Sequence, residues 1–224
     1  MTHLYLIRHA DHQGTVDGII GDYGLTPRGV TQAEHLRDRL AAGEIKADVL
    51  IASTLARARQ TAEIIAPALG LPIIWDDEVQ EIRPGAVEGM HMDEFRKKYG
   101  MTLQQLEQEP FRPIGPGGES RPQFLLRVGT ALDRITRQHE GKTIVVVCHG
   151  GVVDGSFFYF FGLGTMMAAE AFLYTHNTSI THWYRETLEG ITRWRLVKYN
   201  DDQHLRDIGA TARIPWKELL STKK

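Results

Sequence analysis

Two short apolar runs, far apart in the chain, both end at a histidine. Residues 4–7 form the first run and are followed by Arg8 and His9, and residues 143–148 form the second and are followed by His149. Continuous apolar runs of this length predict buried strands. Because ligand sites of open α/β sheets form at the carboxyl ends of the strands, we expect the two histidines to share one pocket.

Helical patterns alternate with further apolar runs through the first third of the chain. Thr26 and Pro27 have the residue types of an N-cap and a first helical position, and Ser53 and Thr54 can cap the next helix. The predicted elements are strands over 48–52, 73–75 and about 77–80, and helices over 27–40 and 56–69. This order predicts an α/β fold of three layers, a mainly parallel, doubly wound sheet with helices on both faces.

The alternation stops over residues 82–119, where glycine and proline are frequent. A segment of this length within a domain is typical of a lid or a substrate-binding insertion. The remaining predicted elements are helices over about 93–99, 103–109, 120–139 and 152–161, and an antiparallel pair over 180–184 and 192–199. We therefore expect one domain over residues 1–200, with the insertion at 82–119 and a polar C-terminal tail over 201–224.

Composition narrows the class of protein. The formal net charge is −2, so neither nucleic acid nor an anionic membrane is indicated as a partner. Cys148 is the single cysteine, which excludes an internal disulfide and an all-cysteine metal site. The longest uncharged stretch, residues 155–169, is shorter than the roughly 20 residues that a spanning helix needs. No signal peptide is visible, and we expect a cytoplasmic protein.

Arg8 and His9 are the first candidates for chemistry. A neutral imidazole is a competent nucleophile towards phosphorus, and a guanidinium matches the charge of a phosphoryl group with a planar fork of donors. The alternative is structural, with the arginine paired to a carboxylate and the histidine hydrogen-bonded in the core. Their position at the end of a buried strand favours a bound anion.

Three further residues have the chemistry of a phosphate site. Arg57 lies in the first turn of a predicted helix, where backbone amides already favour anions, although it can equally be a solvated arginine. His149 precedes Gly150, whose lack of a side chain lets backbone amides approach a ligand, or it is a buried structural histidine. Glu81 opens the insertion and can act as a general acid, although Glu88 lies nearby and both can be ordinary loop carboxylates.

Taken in order, these motifs resemble the histidine phosphatase superfamily, whose fold is phosphoglycerate mutase-like. The resemblance covers roughly residues 2 to 199 and rests on the segments 6–10, 25–29 with 32–33, 53–62, 81 with 88–89, 118–120, 149–150 and 177–180. It implies a nucleophilic His9, with Arg8, Arg57 and His149 holding the phosphoryl group. Glu81 falls where the family places its proton donor and later general base. The family needs no metal or other cofactor for this chemistry.

The chain departs from the family pattern in ways that bear on the reaction. Ala10 replaces the usual glycine, Thr15 stands near the place of a phosphate-contacting asparagine, and the mutase patterns after the first motif and around residues 81–85 are absent. The missing mutase patterns favour a phosphatase that acts on a small phosphorylated substrate through a phosphohistidine, whereas the altered third residue of the first motif, Ala10, leaves a binding module open. The alternatives are mutase-type phosphoryl transfer and a non-catalytic module that binds a phosphorylated ligand.

Substrate specificity is expected to lie in the loop over residues 11–24 and in the insertion. Arg83 and His91, within the insertion, are candidate substrate contacts, as are Thr15 and Gly150. The sequence leaves the substrate itself open. An aromatic run over residues 157–161 makes a homodimer a reasonable expectation.

Overall fold

A mixed sheet forms the centre of the protein in the computed structural model, which describes residues 1–99, 109–164 and 173–208. Within these residues the sheet has six strands, namely β1 (Thr2–Arg8), β4 (Val49–Ala52), β5 (Ile73–Trp75), β6 (Thr143–Cys148), β7 (Ile180–Leu188) and β8 (Ile191–Asp201). Their order is β5-β4-β6-β1-β7-β8. The first four are parallel, and the last two pair antiparallel. A separate two-stranded hairpin consists of β2 (Thr15–Val16) and β3 (Ile19–Ile20).

Helices cover both faces of this sheet. They are α1 (Pro27–Ala41), α2 (Ala56–Leu69), α3 (Met92–Tyr99), α4 (Arg121–Gln138) and α5 (Gly150–Phe161), with 3-10 helices over Asp77–Val79 and Gln203–Ile208. α1 and α2 pack with strand residues such as Ile7 and Val145, whereas α4 and α5 pack with Leu6 and Val146. Neighbouring residues of one strand point to opposite faces, so each apolar run supplies both cores. The predicted three-layer, doubly wound fold is confirmed.

Local sequence accounts for most element boundaries. The Thr26 hydroxyl accepts a hydrogen bond from the Gly29 amide at 3.0 Å, as expected for an N-cap before Pro27. The side chain of Gln123 accepts from the Ser120 amide at 2.8 Å at the start of α4. α2 ends at Gly70, whose φ of 63° is the left-handed conformation that glycine adopts without strain.

Two predictions about local structure are wrong. Residues 77–79 form a 3-10 helix rather than a strand, because the Asp76 carboxylate accepts from the Glu78 amide at 3.0 Å and caps a turn there. Ser53 and Thr54 do not cap α2, whose N-cap is Leu55 and has no side-chain hydrogen bond. The Ser53 hydroxyl is instead used in a contact with His149.

Three other predicted segments are the helix over 103–109, the C-terminal tail and the aromatic run. The predicted helix over 103–109 falls almost wholly outside the described residues. At the predicted C-terminal tail, β8 runs to Asp201 and Leu205 of the following 3-10 helix is fully buried. Of the aromatic run, Phe157 is buried and Phe161 is exposed. Across the residues that the structure describes, none of the helices has the length and apolar character needed to cross a membrane.

The sheet order fixes where the two histidine-bearing ends meet. β1 and β6 are adjacent and parallel, with Arg8 opposite Cys148. The His9 amide donates to the Cys148 carbonyl at 2.8 Å. His9 and His149 therefore lie side by side at the carboxyl edge of the sheet, as the sequence predicts.

Candidate active site

His9 is buried, and its hydrogen bonds assign its tautomer. Its Nδ1 lies 2.7 Å from the carbonyl oxygen of Ala10, which can only accept, so Nδ1 carries the proton. The Nε2 atom then holds a lone pair, and Arg57 Nε donates to it at 3.2 Å. Nε2 is therefore the atom of His9 that can attack an electrophile.

The residues around His9 hold its backbone in place. The Ala10 amide donates to the Thr61 hydroxyl at 3.0 Å, and the Asn177 side-chain amide donates to the His9 carbonyl at 2.9 Å. Ala10 is fully buried and has no positive φ, so its methyl group is accommodated without backbone strain. His9 and Ala10 are therefore held by contacts to two distant segments of the chain.

His149 approaches His9 from the end of β6. The two ring centroids are 5.1 Å apart, and His149 Nε2 lies 2.7 Å from the Ser53 hydroxyl. Its Nδ1 is buried and has no hydrogen-bond partner among the described residues. A buried polar atom without a partner is costly, so this nitrogen is suited to a ligand.

Arg8 shows the same feature. Its Nη1 donates to the carbonyl of Thr175, while its Nε is buried without a partner among the described residues. A Cβ added to Gly150 would lie 3.6 Å from Arg8 Nε, which places the first residue of α5 against the guanidinium. Arg8 and His149 therefore each bring one unsatisfied nitrogen to the edge of the sheet where His9 lies.

Arg57 is held by a carboxylate from the loop between β3 and α1. Its Nη1 donates to Asp22 Oδ1 at 2.9 Å, and the same carboxylate accepts from the backbone amides of Ala56 and Arg57. The start of α2 is thus occupied by Asp22, so a phosphate would meet the Arg57 guanidinium rather than the helix amides.

The Glu81 side chain lies against the start of α5, the helix that begins directly after His149. Its Oε1 accepts from the Ile82 amide at 2.9 Å and its Oε2 from the Gly151 amide at 3.0 Å. A Cβ at Gly151 would collide with Glu81 Oε1, which explains the second glycine of this motif. Glu88 is exposed, so Glu81 is the better placed of the two candidate acids.

Burial sets the protonation of the three imidazoles. Burial, followed by the charges of His149 and Arg57, lowers the pKa of His9 well below its usual value. Burial and Arg57 likewise lower the pKa of His149. Burial and Arg57 bring the pKa of His12 to about 4. Neutral imidazoles are therefore expected at neutral pH, as a nucleophilic His9 requires.

Three predicted substrate contacts, Thr15, Arg83 and His91, make no hydrogen bond to Arg8, His9, Arg57 or His149 within the described residues. Thr15 is in the β2–β3 hairpin and makes no side-chain hydrogen bond to other described residues. The Arg83 guanidinium binds the 77–80 segment, including Gln80 Oε1 at 3.2 Å and Glu78 Oε1 at 3.2 Å. His91 is half exposed and lies against the hairpin at Gly18. Their role in binding a substrate stays a prediction.

Four further residues contact the site, and the sequence analysis did not assign them to it. The His12 ring meets His9 edge-on with centroids 4.8 Å apart, and Asp22, Ser53 and Asn177 bind site residues directly. His12 follows His9 by three positions, a spacing that marks it for inspection. The other three contact residues 35, 96 and 168 positions away, which no local pattern encodes.

Comparison with known proteins assigns the family. The family model of the histidine phosphatase superfamily (branch 1) matches residues 4–202. The chain belongs to this superfamily.

Within the described residues, no group of three histidine, cysteine, aspartate or glutamate side chains is arranged to hold a metal ion.

Individual relatives include both mutase-like and phosphatase proteins. A probable phosphoglycerate mutase GpmB from Escherichia coli is 32% identical over 209 residues, which is 92% of this chain and 95% of that protein. The structure of Bacillus stearothermophilus YhfR matches with a TM-score of 0.75 and 29% identity, over 92% of this chain and 100% of that one. A phosphoserine phosphatase mutant from Entamoeba histolytica, solved with phosphoserine, matches with a TM-score of 0.69 and 28% identity over the same shares.

Proposed function

We propose that this superfamily member is a phosphomonoester hydrolase that works through a phosphohistidine at His9. The observation that carries the proposal is the state of the His9 ring, a buried neutral imidazole whose Nδ1–H is bound to Ala10 and whose Nε2 holds the lone pair. The unsatisfied nitrogens of Arg8 and His149 support an anionic ligand beside it. A small phosphorylated molecule is the substrate class that this charge pattern fits.

In the first step, His9 Nε2 attacks the phosphorus atom of the ester. The N–P bond forms as the bond from phosphorus to the ester oxygen breaks, and the departing oxygen takes the proton of the Glu81 carboxylic acid. Arg8, Arg57 and His149 stabilise the negative charge on the other phosphoryl oxygens, which is the main requirement of phosphoryl transfer. Arg57 Nε moves from His9 Nε2 to the phosphoryl group.

In the second step, water attacks the phosphohistidine. The Glu81 carboxylate takes a proton from the water as its oxygen bonds to phosphorus, and the N–P bond breaks. Inorganic phosphate leaves, and His9 returns to the neutral form with its proton still on Nδ1. Glu81 ends protonated and ready for another cycle, so atoms and protons balance over the two steps.

The second candidate is a mutase, in which an acceptor hydroxyl rather than water takes the phosphoryl group. The specific observation in its favour is the 32% identity to a probable phosphoglycerate mutase. The hydrolase is favoured by the likeness to a phosphoserine phosphatase and by the absence of the mutase sequence patterns noted above. The two reactions share the first step and differ in what receives the phosphoryl group.

Phosphate release from a panel of phosphomonoesters, measured with a chelator present, tests the proposal. The panel contains phosphoserine, phosphoglycerates, sugar phosphates, nucleotides and an aryl phosphate. We expect turnover by the wild type and its loss in His9→Ala. His3→Ala is the matched control, because His3 lies at the opposite end of the same strand. Near-normal activity of His9→Ala would refute the mechanism.

Two other outcomes lead to the alternatives. Transfer of label from the phosphorylated enzyme to an added acceptor, without release of phosphate, would establish a mutase. Binding of phosphorylated ligands with no turnover on any member of the panel would establish a binding module.

A further inference from the structure

Arg127 is a buried charge on the inner face of α4, where only 8% of the residue is exposed. A guanidinium has five N–H donors, and all five are used here. Nε and Nη2 donate to the two carboxylate oxygens of Glu119, each at 2.7 Å. The other three N–H groups bind the carbonyls of Glu78 at 2.6 Å, Gln80 at 3.1 Å and Glu81 at 3.1 Å.

Glu119 connects this arginine to the insertion. Its Oε2 also accepts from the Arg83 amide at 2.9 Å, and its own amide donates to the Arg83 carbonyl at 2.8 Å. A Cβ on the neighbouring Gly118 would lie 2.8 Å from the Pro84 carbonyl, so the two ends of the insertion are packed backbone against backbone. The stem of the insertion is therefore joined to the Arg127–Glu119 pair.

Glu81 is the residue on which these contacts converge. Arg127 binds its carbonyl, and the amides of Ile82 and Gly151 bind its carboxylate. We propose that Arg127 and Glu119 are positioning residues that hold the Glu81 carboxyl group where the leaving oxygen of the substrate is protonated. This inference rests on the proposed function, since it assigns a task to residues that support Glu81.

The need for such support follows from the geometry of proton transfer. A general acid works only within hydrogen-bond reach of the oxygen that it protonates, and a displacement of about 1 Å can cost about 10²-fold in rate. Glu81 lies on an irregular segment between a 3-10 helix and the insertion. Because no regular element fixes this segment, three carbonyl contacts from one rigid guanidinium supply the rigidity.

The test compares two substrates that differ in their need for a general acid. An alkyl phosphate such as phosphoserine has a strongly basic leaving oxygen, whereas p-nitrophenolate leaves as a stable anion. We expect Arg127→Lys and Glu119→Gln to lower kcat/KM for the alkyl phosphate by about 10²-fold. We expect at most a few-fold change for p-nitrophenyl phosphate. A residue with a merely structural role would lower both values together.

Arg134→Lys is the matched control, because Arg134 lies on the same helix and pairs with Asp76 just before the 3-10 helix. We expect it to leave the ratio of the two kcat/KM values unchanged. Equal losses on both substrates, or no loss, in the variants of the pair would overturn the proposal. Glu119→Gln retains an acceptor for Arg127, so it decides the question if Arg127→Lys fails to fold.

Failure of the proposed function would look different. A wild-type enzyme that hydrolyses neither substrate and forms no acid-labile phosphohistidine would refute the hydrolase itself. A wild-type enzyme that hydrolyses both, with variants that keep the same ratio, would refute only the positioning role.

Discussion

The helices α2 and α5 both begin at the carboxyl edge of the sheet, and each receives a carboxylate from a distant segment. Asp22 accepts from the amides of Ala56 and Arg57 at the start of α2, and Glu81 accepts from the amide of Gly151 at the start of α5. A helix N-terminus favours an anion in both cases, so the local physics is the same.

The two carboxylates differ in whether a cation is paired with them. Asp22 forms an ion pair with Arg57 at 2.9 Å, and the two side chains are only 17% and 12% exposed. Glu81 forms no ion pair with any residue in the described part of the chain. The two carboxylates share a helix end and differ in their neighbouring charge, which fits a positioning role for Asp22 and the proton-transfer role proposed for Glu81.

The largest effect is expected from Glu81→Gln. The amide keeps one of the two backbone hydrogen bonds but has no acidic proton, so kcat/KM for alkyl phosphates should fall by about 10²- to 10⁴-fold. The value for p-nitrophenyl phosphate should fall much less. Steady-state kinetics on both substrates, with circular dichroism to confirm the fold, measures this effect. Equal activity on alkyl phosphates would remove the proposed role of Glu81.

A smaller effect is expected from Asp22→Asn. The substitution removes the charge that holds Arg57, and the proposed mechanism uses Arg57 to stabilise the phosphoryl group whatever the leaving group is. We expect kcat/KM to fall by about tenfold for alkyl and aryl phosphates alike, in line with one charge-assisted hydrogen bond of about 1.5 kcal/mol. A loss confined to alkyl phosphates would show that Asp22 and Glu81 do not have separate tasks.

The smallest effect concerns a histidine pair far from both helix ends. His3 Nδ1 lies 3.0 Å from His182 Nε2, and burial together with His3 lowers the pKa of His182 to about 4. An unfolded histidine titrates near pH 6.5, so the unfolded state takes up the proton first. The stability contribution of His182 is thus complete above about pH 6.5 and is lost as the pH falls towards 4.

Thermal unfolding from neutral pH down to about pH 4 tests this expectation. His182→Phe keeps a ring stacked on Tyr5, whose centroid lies 4.0 Å away, but cannot take up a proton. Its Tm should fall by a few degrees less than that of the wild type, since His9 and His149 titrate in both proteins. Identical slopes would contradict the assignment. The same pH series shows whether a loss of activity at low pH comes from unfolding of the protein.

Local patterns were sufficient for much of the fold. Thr26 and Pro27 start a helix through their own side chains, and the apolar runs form the strands that they predict. The prediction failed at residues 77–79, where one aspartate cap outweighed the tendency to extend. It also failed at Ser53, which had the type of a cap but binds a histidine 96 positions away.

The residues of the candidate site also divide into those that the sequence predicted and those that it did not. His9, His149, Arg8 and Arg57 were predicted because each stands at the end of a strand or the start of a helix, and the sheet order brings such ends together. Arg127 is the one charged residue among the buried positions of α4. Such a position indicates that the arginine is paired inside the protein, but it does not say with which carboxylate. Thr15 was predicted from its place in the family pattern, and Arg83 and His91 from their position in the insertion. Because Arg83 binds the 77–80 segment and His91 lies against the hairpin, their role in substrate binding stays a prediction.

The sequence by itself determined the elements, their order and the chemical types at the edge of the sheet, because hydrophobic periodicity and capping act over a few residues. Only the tertiary structure decided that Asp22 binds Arg57, that Ser53 binds His149 and that Arg127 holds the segment of Glu81. These contacts join segments tens of residues apart. Their geometry is set by the packing of the whole core, so no local pattern in the chain encodes them.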